Sequence, residues 1–143
     1  ITITTSEMTR FFMTIPQAVA LMLSAADRMV GHEVFVLKMD VARILDIAEV
    51  MIQELAPQYG FRPEDIQIEY IGKRAGEKIH EYLFTEDEAP NITVMDDMFV
   101  IRSSPFDPLK VENENYQEIM EMGMGRLIDK AEIKTILTNC GLL

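Results

Sequence analysis

Between residues 71 and 78 the chain reads Ile71-Gly72-Lys73-Arg74-Ala75-Gly76-Glu77-Lys78, with two cations set between two glycines and a carboxylate just behind. These residue types suit a phosphate. Glycine lets backbone approach a ligand closely, and a guanidinium grips phosphate oxygens through two parallel N–H bonds. The same composition also makes an ordinary turn with hydrated charges, so the stretch by itself defines a candidate and not a site.

The flanking residues say what must position it. Ile66-Gln67-Ile68-Glu69-Tyr70-Ile71 alternates apolar and polar side chains and is rich in β-branched residues, which predicts a strand. Glu77-Lys78-Ile79-His80-Glu81-Tyr82-Leu83-Phe84 carries apolar residues at helical spacing, which predicts a helix. The cationic stretch is then a strand-to-helix turn, and the helix N-terminus would offer unpaired N–H groups to an anion.

Upstream, Thr14 with Gln17 three residues on forms a capping-box pattern, with Pro16 in the first turn, for a helix running to about Met29. Its apolar residues, among them Ile15, Val19, Leu21, Met22 and Leu23, occupy nearly the whole circumference, so it expects cover on two sides. A strand follows at Val34 to Leu37. Asp40 is placed to cap a second helix, striped by Val41, Ile44, Leu45, Ala48, Met51, Ile52 and Leu55 and closed by Pro57 and Gly60. Arg43, Asp46, Glu49 and Gln53 form its hydrated face. Asn91 to Met95 and Met98 to Ile101 read as short strands across Asp96-Asp97, either a hairpin or one bent strand, and Ser103-Ser104-Pro105-Phe106-Asp107-Pro108 as a linker. Beyond it, Tyr116 to Met124 predicts a short helix broken by Gly123 and Gly125, and Asp129 with Glu132 caps a last helix over Ala131 to Asn139. Together these elements predict a mixed α/β (α+β) protein, with residues 1–102 as one compact body and residues 103–143 as linker and helical tail.

Thirteen basic against twenty-four acidic residues leave a net charge of −11 on the 143-residue chain. That balance disfavours a nucleic-acid backbone or an anionic membrane as partner, and an anionic substrate then needs a local cationic pocket. Arg10, Lys73, Arg74 and Lys78 are the cations available for one. The single cysteine, Cys140, has no partner for an internal disulfide, which suits a reducing cytoplasm. His32 and His80 lack ligand spacing, and nothing beside the acidic run Thr85-Glu86-Asp87-Glu88 completes a metal shell, so no metal site is expected. No apolar run approaches the length of a transmembrane helix. The chain opens Ile1-Thr2-Ile3 without an initiator methionine and reads as a piece of a longer protein.

Arg74-Ala75-Gly76-Glu77 resembles the Arg-x-Gly-(Asp/Glu) motif of extended short-chain dehydrogenase/reductases that act on nucleotide sugars. Ala75 stands where that motif commonly has proline, which leaves phosphate contact open and the turn less rigid. Met8-Thr9-Arg10-Phe11-Phe12-Met13-Thr14-Ile15-Pro16-Gln17-Ala18-Val19 is similar to a segment of the capsular polysaccharide biosynthesis proteins, a group that includes UDP-N-acetylglucosamine 4,6-dehydratases. Glu33 to Met39, Ile44 to Ala48 and Phe84 to Ala89 follow in that group's order. The resemblance covers about residues 8 to 102 and implies the C-terminal substrate-binding lobe of an extended Rossmann-type nucleotide-sugar enzyme. It further implies a UDP-N-acetylhexosamine as ligand, with Arg74 and then Arg10 on the diphosphate, Lys73 adding charge beside them, and Glu77 accepting a ribose hydroxyl.

The chemistry implied for the whole enzyme is hydride removal by NAD(P), elimination of water and return of the hydride. This chain has no glycine-rich dinucleotide fingerprint, and none of Tyr59, Tyr70, Tyr82 or Tyr116 is followed by lysine at the fourth position. No catalytic residue and no cofactor contact are therefore expected within it. The resemblance assigns both to a Rossmann domain upstream, and the chain alone is expected to be inactive. In the family the first helix and the strand after it lie against that domain, so this chain should expose apolar surface or bury it by self-association. Dehydratase and epimerase, and NAD and NADP, stay open as alternatives. The other reading is an acidic α/β protein-interaction module on which Arg74 is merely exposed, and the sequence encoded upstream of Ile1 separates the two.

Overall fold

In chain order the elements are β1 (Thr2–Ile3), β2 (Thr9–Phe12), α1 (Ile15–Arg28), β3 (Glu33–Leu37), β4 (Asp40–Arg43), α2 (Ile44–Leu55), β5 (Glu69–Tyr70), β6 (Ile92–Val94), β7 (Met98–Arg102), α3 (Tyr116–Gly123) and α4 (Lys130–Asn139). They come from a computed structural model that describes residues 1–102 and 116–143, so the expected linker at Ser103 to Pro108 lies outside the described residues. By contact these residues form two units, and each unit gathers separate stretches of chain.

The first unit holds Ile1–Phe12, Asp40–Glu81 and Leu127–Leu143. β1 pairs parallel with β5, and β2 pairs antiparallel with β4, Thr9 opposite Arg43 and Phe12 opposite Asp40. Its core is Ala42, Val50, Ile128, Ile133 and Leu137, so α2 and α4 meet over β4. The last helix carries the expected capping box: the Asp129 carboxylate accepts from the Glu132 N–H at 2.9 Å, and the Glu132 carboxylate accepts from the Asp129 N–H at 3.0 Å.

Two sequence readings are corrected in this unit. Asp40 is no helix cap, because residues 40–43 find ladder partners on β2 and the helix starts only at Ile44, whose N–H donates to the Met8 carbonyl at 3.0 Å. The strand expected over Ile66 to Ile71 shrinks to Glu69–Tyr70, the two residues that pair with β1, while the Ile66 N–H closes the preceding 3₁₀ turn on the Pro63 carbonyl at 3.2 Å.

The second unit holds Met13–Met39 and Tyr82–Arg126. Its sheet has the order β3-β7-β6, all antiparallel, with β6 and β7 forming the hairpin. Phe84, Ala89, Ile92, Phe99, Ile101 and Ile119 make its core, where the Phe84 and Phe99 rings meet edge to face with centroids 5.0 Å apart. α1 starts on the expected capping box, with Gln17 N–H on the Thr14 hydroxyl and Thr14 N–H on the Gln17 amide oxygen. It buries no residue fully, and Ile15, Met22 and Leu23 are 82%, 70% and 68% exposed. The expected exposed apolar face is therefore present.

The turn joining α1 to β3 places His32 at φ 68°, a region that costs a residue with a Cβ. Glu33 holds that turn closed. Its carboxylate accepts from the N–H groups of Gly31 at 2.7 Å and Val30 at 3.3 Å, faces Arg102 at 3.7 Å, and is only 3% exposed.

Two measurements test these packing arguments. A methyl at Gly123 would sit 2.5 Å from Cζ of the buried Phe84 ring, so Gly123→Ala should lower stability in urea unfolding by about 1–3 kcal/mol despite alanine's better helix propensity. The Gly31 N–H, followed by the N–H groups of Glu33 itself and Val30 and then by Arg102, holds the Glu33 carboxyl below the ordinary glutamate range. A lowered folded-state value stabilises above the unfolded pKa and is lost as pH falls through the folded one. Unfolding free energy should accordingly drop on acidification below the ordinary glutamate range, and Glu33→Gln should flatten that slope.

Candidate anion-binding site

Between Tyr70 at the end of β5 and the 3₁₀ turn that begins at Ala89 there is neither helix nor strand. The helix expected over Glu77 to Phe84 is absent for a specific reason. It would require the Leu83 N–H to donate to the Ile79 carbonyl. That carbonyl instead accepts the Thr9 N–H at 3.0 Å and an Arg10 Nη1–H at 3.2 Å, while the Leu83 N–H donates to the Gly123 carbonyl at 3.2 Å. Donor and acceptor are both committed elsewhere. No helix N-terminus therefore faces the cationic stretch, and that part of the phosphate argument falls.

What positions the stretch is its attachment to the N-terminal strands. The Gly72 N–H donates to the Thr4 carbonyl at 3.1 Å, and the Thr9 N–H donates to the Ile79 carbonyl, so the excursion from Lys73 to Lys78 is pinned at both ends. Gly72 and Gly76, at φ 80° and 82°, take backbone conformations that residues with a Cβ rarely adopt. Inside the excursion, Glu77 N–H donates to the Arg74 carbonyl at 3.2 Å, and Arg74 N–H donates to Glu77 Oε2 at 3.1 Å.

Of the residues singled out in the sequence, Arg10 and Glu77 come together. Arg10 Nη2 lies 3.8 Å from Glu77 Oε1, both side chains are under a third exposed, and Arg10 Nη1 also donates to the Thr9 carbonyl at 2.7 Å. Arg10 is thus engaged by two carbonyls and a carboxylate, the arrangement of a structural ion pair. Glu77 retains acceptor capacity beyond these contacts, because a carboxylate has about four lone-pair sites. Lys73 and Arg74 are exposed, and among the described residues no carboxylate pairs with the Arg74 guanidinium.

Arg62, Lys130 and Lys134 of this unit are compensated. Arg62 pairs with Asp65 at 2.7 Å and with Glu64. A cleft of about 550 Å³ between α2 and α4 has Lys130 and Lys134 on its rim, but Lys130 pairs with Glu49 and Asp46, and Lys134 pairs with Glu54. The bond to Glu49 raises the Lys130 pKa. The face of α2 read as hydrated is accordingly half covered: the Asp46 side chain is 13% exposed and bridges Arg43 and Lys130.

Two residues of the site carried no sequence signal. Thr9 is buried, and its hydroxyl lies 2.8 Å from His80 Nδ1, across 71 residues of chain. Among the described residues no group of three or more His, Cys, Asp or Glu side chains is placed to hold a metal, and no helix is long and apolar enough to cross a membrane.

The fold and its sequence place this chain among proteins of polysaccharide biosynthesis. It belongs to the polysaccharide biosynthesis protein family, whose pattern matches residues 1–103. It is similar to the solved structure of Pen from Bacillus thuringiensis, with a TM-score of 0.79 and 37% identity, over the whole of this chain and 42% of that one, in its C-terminal part. It is 43% identical over all 143 residues to a Methanocaldococcus jannaschii protein described as an uncharacterized membrane protein, and spans 42% of that protein's length. It is also 33% identical over 87 residues, 61% of this chain and 23% of the relative, to an inverting UDP-N-acetylglucosamine 4,6-dehydratase of Campylobacter jejuni.

The bond from Arg74 N–H to Glu77 can be checked by hydrogen exchange. Glu77→Ala should speed exchange at the Arg74 amide about fivefold, the factor that a bond of roughly 1 kcal/mol commands, whereas Glu77→Gln should keep it near the parent rate. Equal acceleration in both variants would assign the effect to the lost charge.

Proposed function

We propose that this chain grips the nucleotide end of a UDP-N-acetylhexosamine within an NAD(P)-dependent 4,6-dehydratase or epimerase of surface polysaccharide biosynthesis. The observation that carries the reading is the Arg74 guanidinium, exposed and without a carboxylate partner among the described residues, on a turn whose path is fixed from beneath. A protein of net charge −11 repels anions at long range, so an uncompensated arginine beside Lys73 and Lys78 makes the local field cationic. The substrate class follows that of the Campylobacter relative, a UDP-N-acetylglucosamine 4,6-dehydratase.

In this reading Arg74 takes the diphosphate bidentately, and Lys73 adds charge at its side. Arg10 acts chiefly by holding Glu77, and through it the Arg74 backbone. Glu77 directs its remaining lone pairs to a ribose hydroxyl. Binding the nucleotide so far from the reacting carbons aligns the sugar, and such remote binding energy lowers the barrier when it is realised in the transition state. The residues of this chain do not fit a nicotinamide dinucleotide: Gly72 and Gly76 do not open a helix, and no glycine fingerprint surrounds them. No step through that cofactor is assigned to them.

In the full-length enzyme, Arg74→Ala should raise KM for UDP-N-acetylglucosamine about ten- to a hundredfold, the range for losing a charge-assisted bond of roughly 1.5–3 kcal/mol. Unfolding by urea should be unchanged, because the side chain is exposed. A KM equal to the parent's would remove Arg74 from the site.

A further inference from the structure

The excursion carrying Lys73 and Arg74 has no regular structure of its own, so its shape is set by what fastens it. At its far end the fastening is a cluster on β2. Thr9 N–H and Arg10 Nη1 converge on the Ile79 carbonyl, and one residue further the His80 ring meets the buried Thr9 hydroxyl at 2.8 Å. Thr9 is thus held at both its main chain and its side chain. The backbone contacts alone end at the Ile79 carbonyl and leave His80 free to turn about its own φ and ψ. The ring contact removes that freedom, because the hydroxyl is anchored in a buried strand residue.

We propose that His80 is a positioning residue for the anion site: by locking onto Thr9 it fixes the strand-side end of the turn and so the direction in which Arg74 is presented. This inference rests on the nucleotide-sugar reading of the same turn. The contact works in either neutral tautomer, since the threonine hydroxyl can donate to a bare Nδ1 or accept from a protonated one. His80 itself touches no substrate in this scheme. Its contribution lies in pre-organisation, which lowers the ordering cost of binding without altering the chemical step.

Steady-state kinetics of the full-length enzyme with UDP-N-acetylglucosamine test it, using His80→Phe, His80→Asn and Thr9→Val alongside Arg74→Ala. Phenylalanine keeps the ring but removes the acceptor, while asparagine places an amide near the Nδ1 position. His80→Phe and Thr9→Val should each raise KM about three- to tenfold, as expected for one neutral hydrogen bond, with kcat within about twofold of the parent. His80→Asn should recover most of the loss. If Arg74→Ala raises KM while both His80→Phe and Thr9→Val leave it unchanged, the positioning role is overturned and the nucleotide reading stands. If asparagine rescues nothing, or kcat falls as much as KM rises, the role is likewise overturned. An unchanged KM in Arg74→Ala overturns the nucleotide reading and the positioning role together.

Discussion

One carbonyl oxygen decides how this chain runs through its middle. The Ile79 C=O accepts from both Thr9 N–H and Arg10 Nη1, and a helix in this segment would have claimed the same oxygen for Leu83. Two donors from a paired strand outweigh one from a nascent helical turn, because helix nucleation fixes several residues for its first bond whereas β2 is already ordered by β4. The outcome is an extended loop laid along a strand. Its cations sit on a surface held from below, and Arg10, the one arginine of the set that is partly buried, spends its donors on that support.

The parts of the fold legible in the sequence are those whose cause lies within a few residues. Thr14 with Gln17 and Asp129 with Glu132 announce their helices because a capping box closes over three residues. The β6–β7 hairpin is legible for the same reason. Asp40 is not legible as a strand residue, because a carboxylate before an apolar run looks like a cap and nothing local reveals that Phe12 lies opposite it. The segment after Glu77 is opaque for the same reason: its apolar spacing suits a helix, but the competing donors stand about seventy residues upstream.

The site divides along the same line. Lys73, Arg74 and Glu77 were visible as a motif, and their neighbourhood to Arg10 came only from the order of segments shared with the family. Thr9 and His80 were not visible, because a threonine on a strand and a histidine in a loop have no pattern that joins them. Periodicity also foretold that α1 would be hard to cover, since its apolar residues leave no polar side to turn outward. Within its unit it rests on β3 and keeps Ile15 and Met22 in the open.

The two left-handed glycines have a consequence for how such a loop can diverge. With Gly72 and Gly76 setting the bends and Thr4 and Thr9 gripping the ends, the path of the backbone owes little to what stands at positions 73, 75 and 78. Those three positions can therefore be rewritten without redrawing the curve. A lineage adapting to a different headgroup need only exchange side chains on a rail already laid, whereas a change at either bend would derail the whole arc.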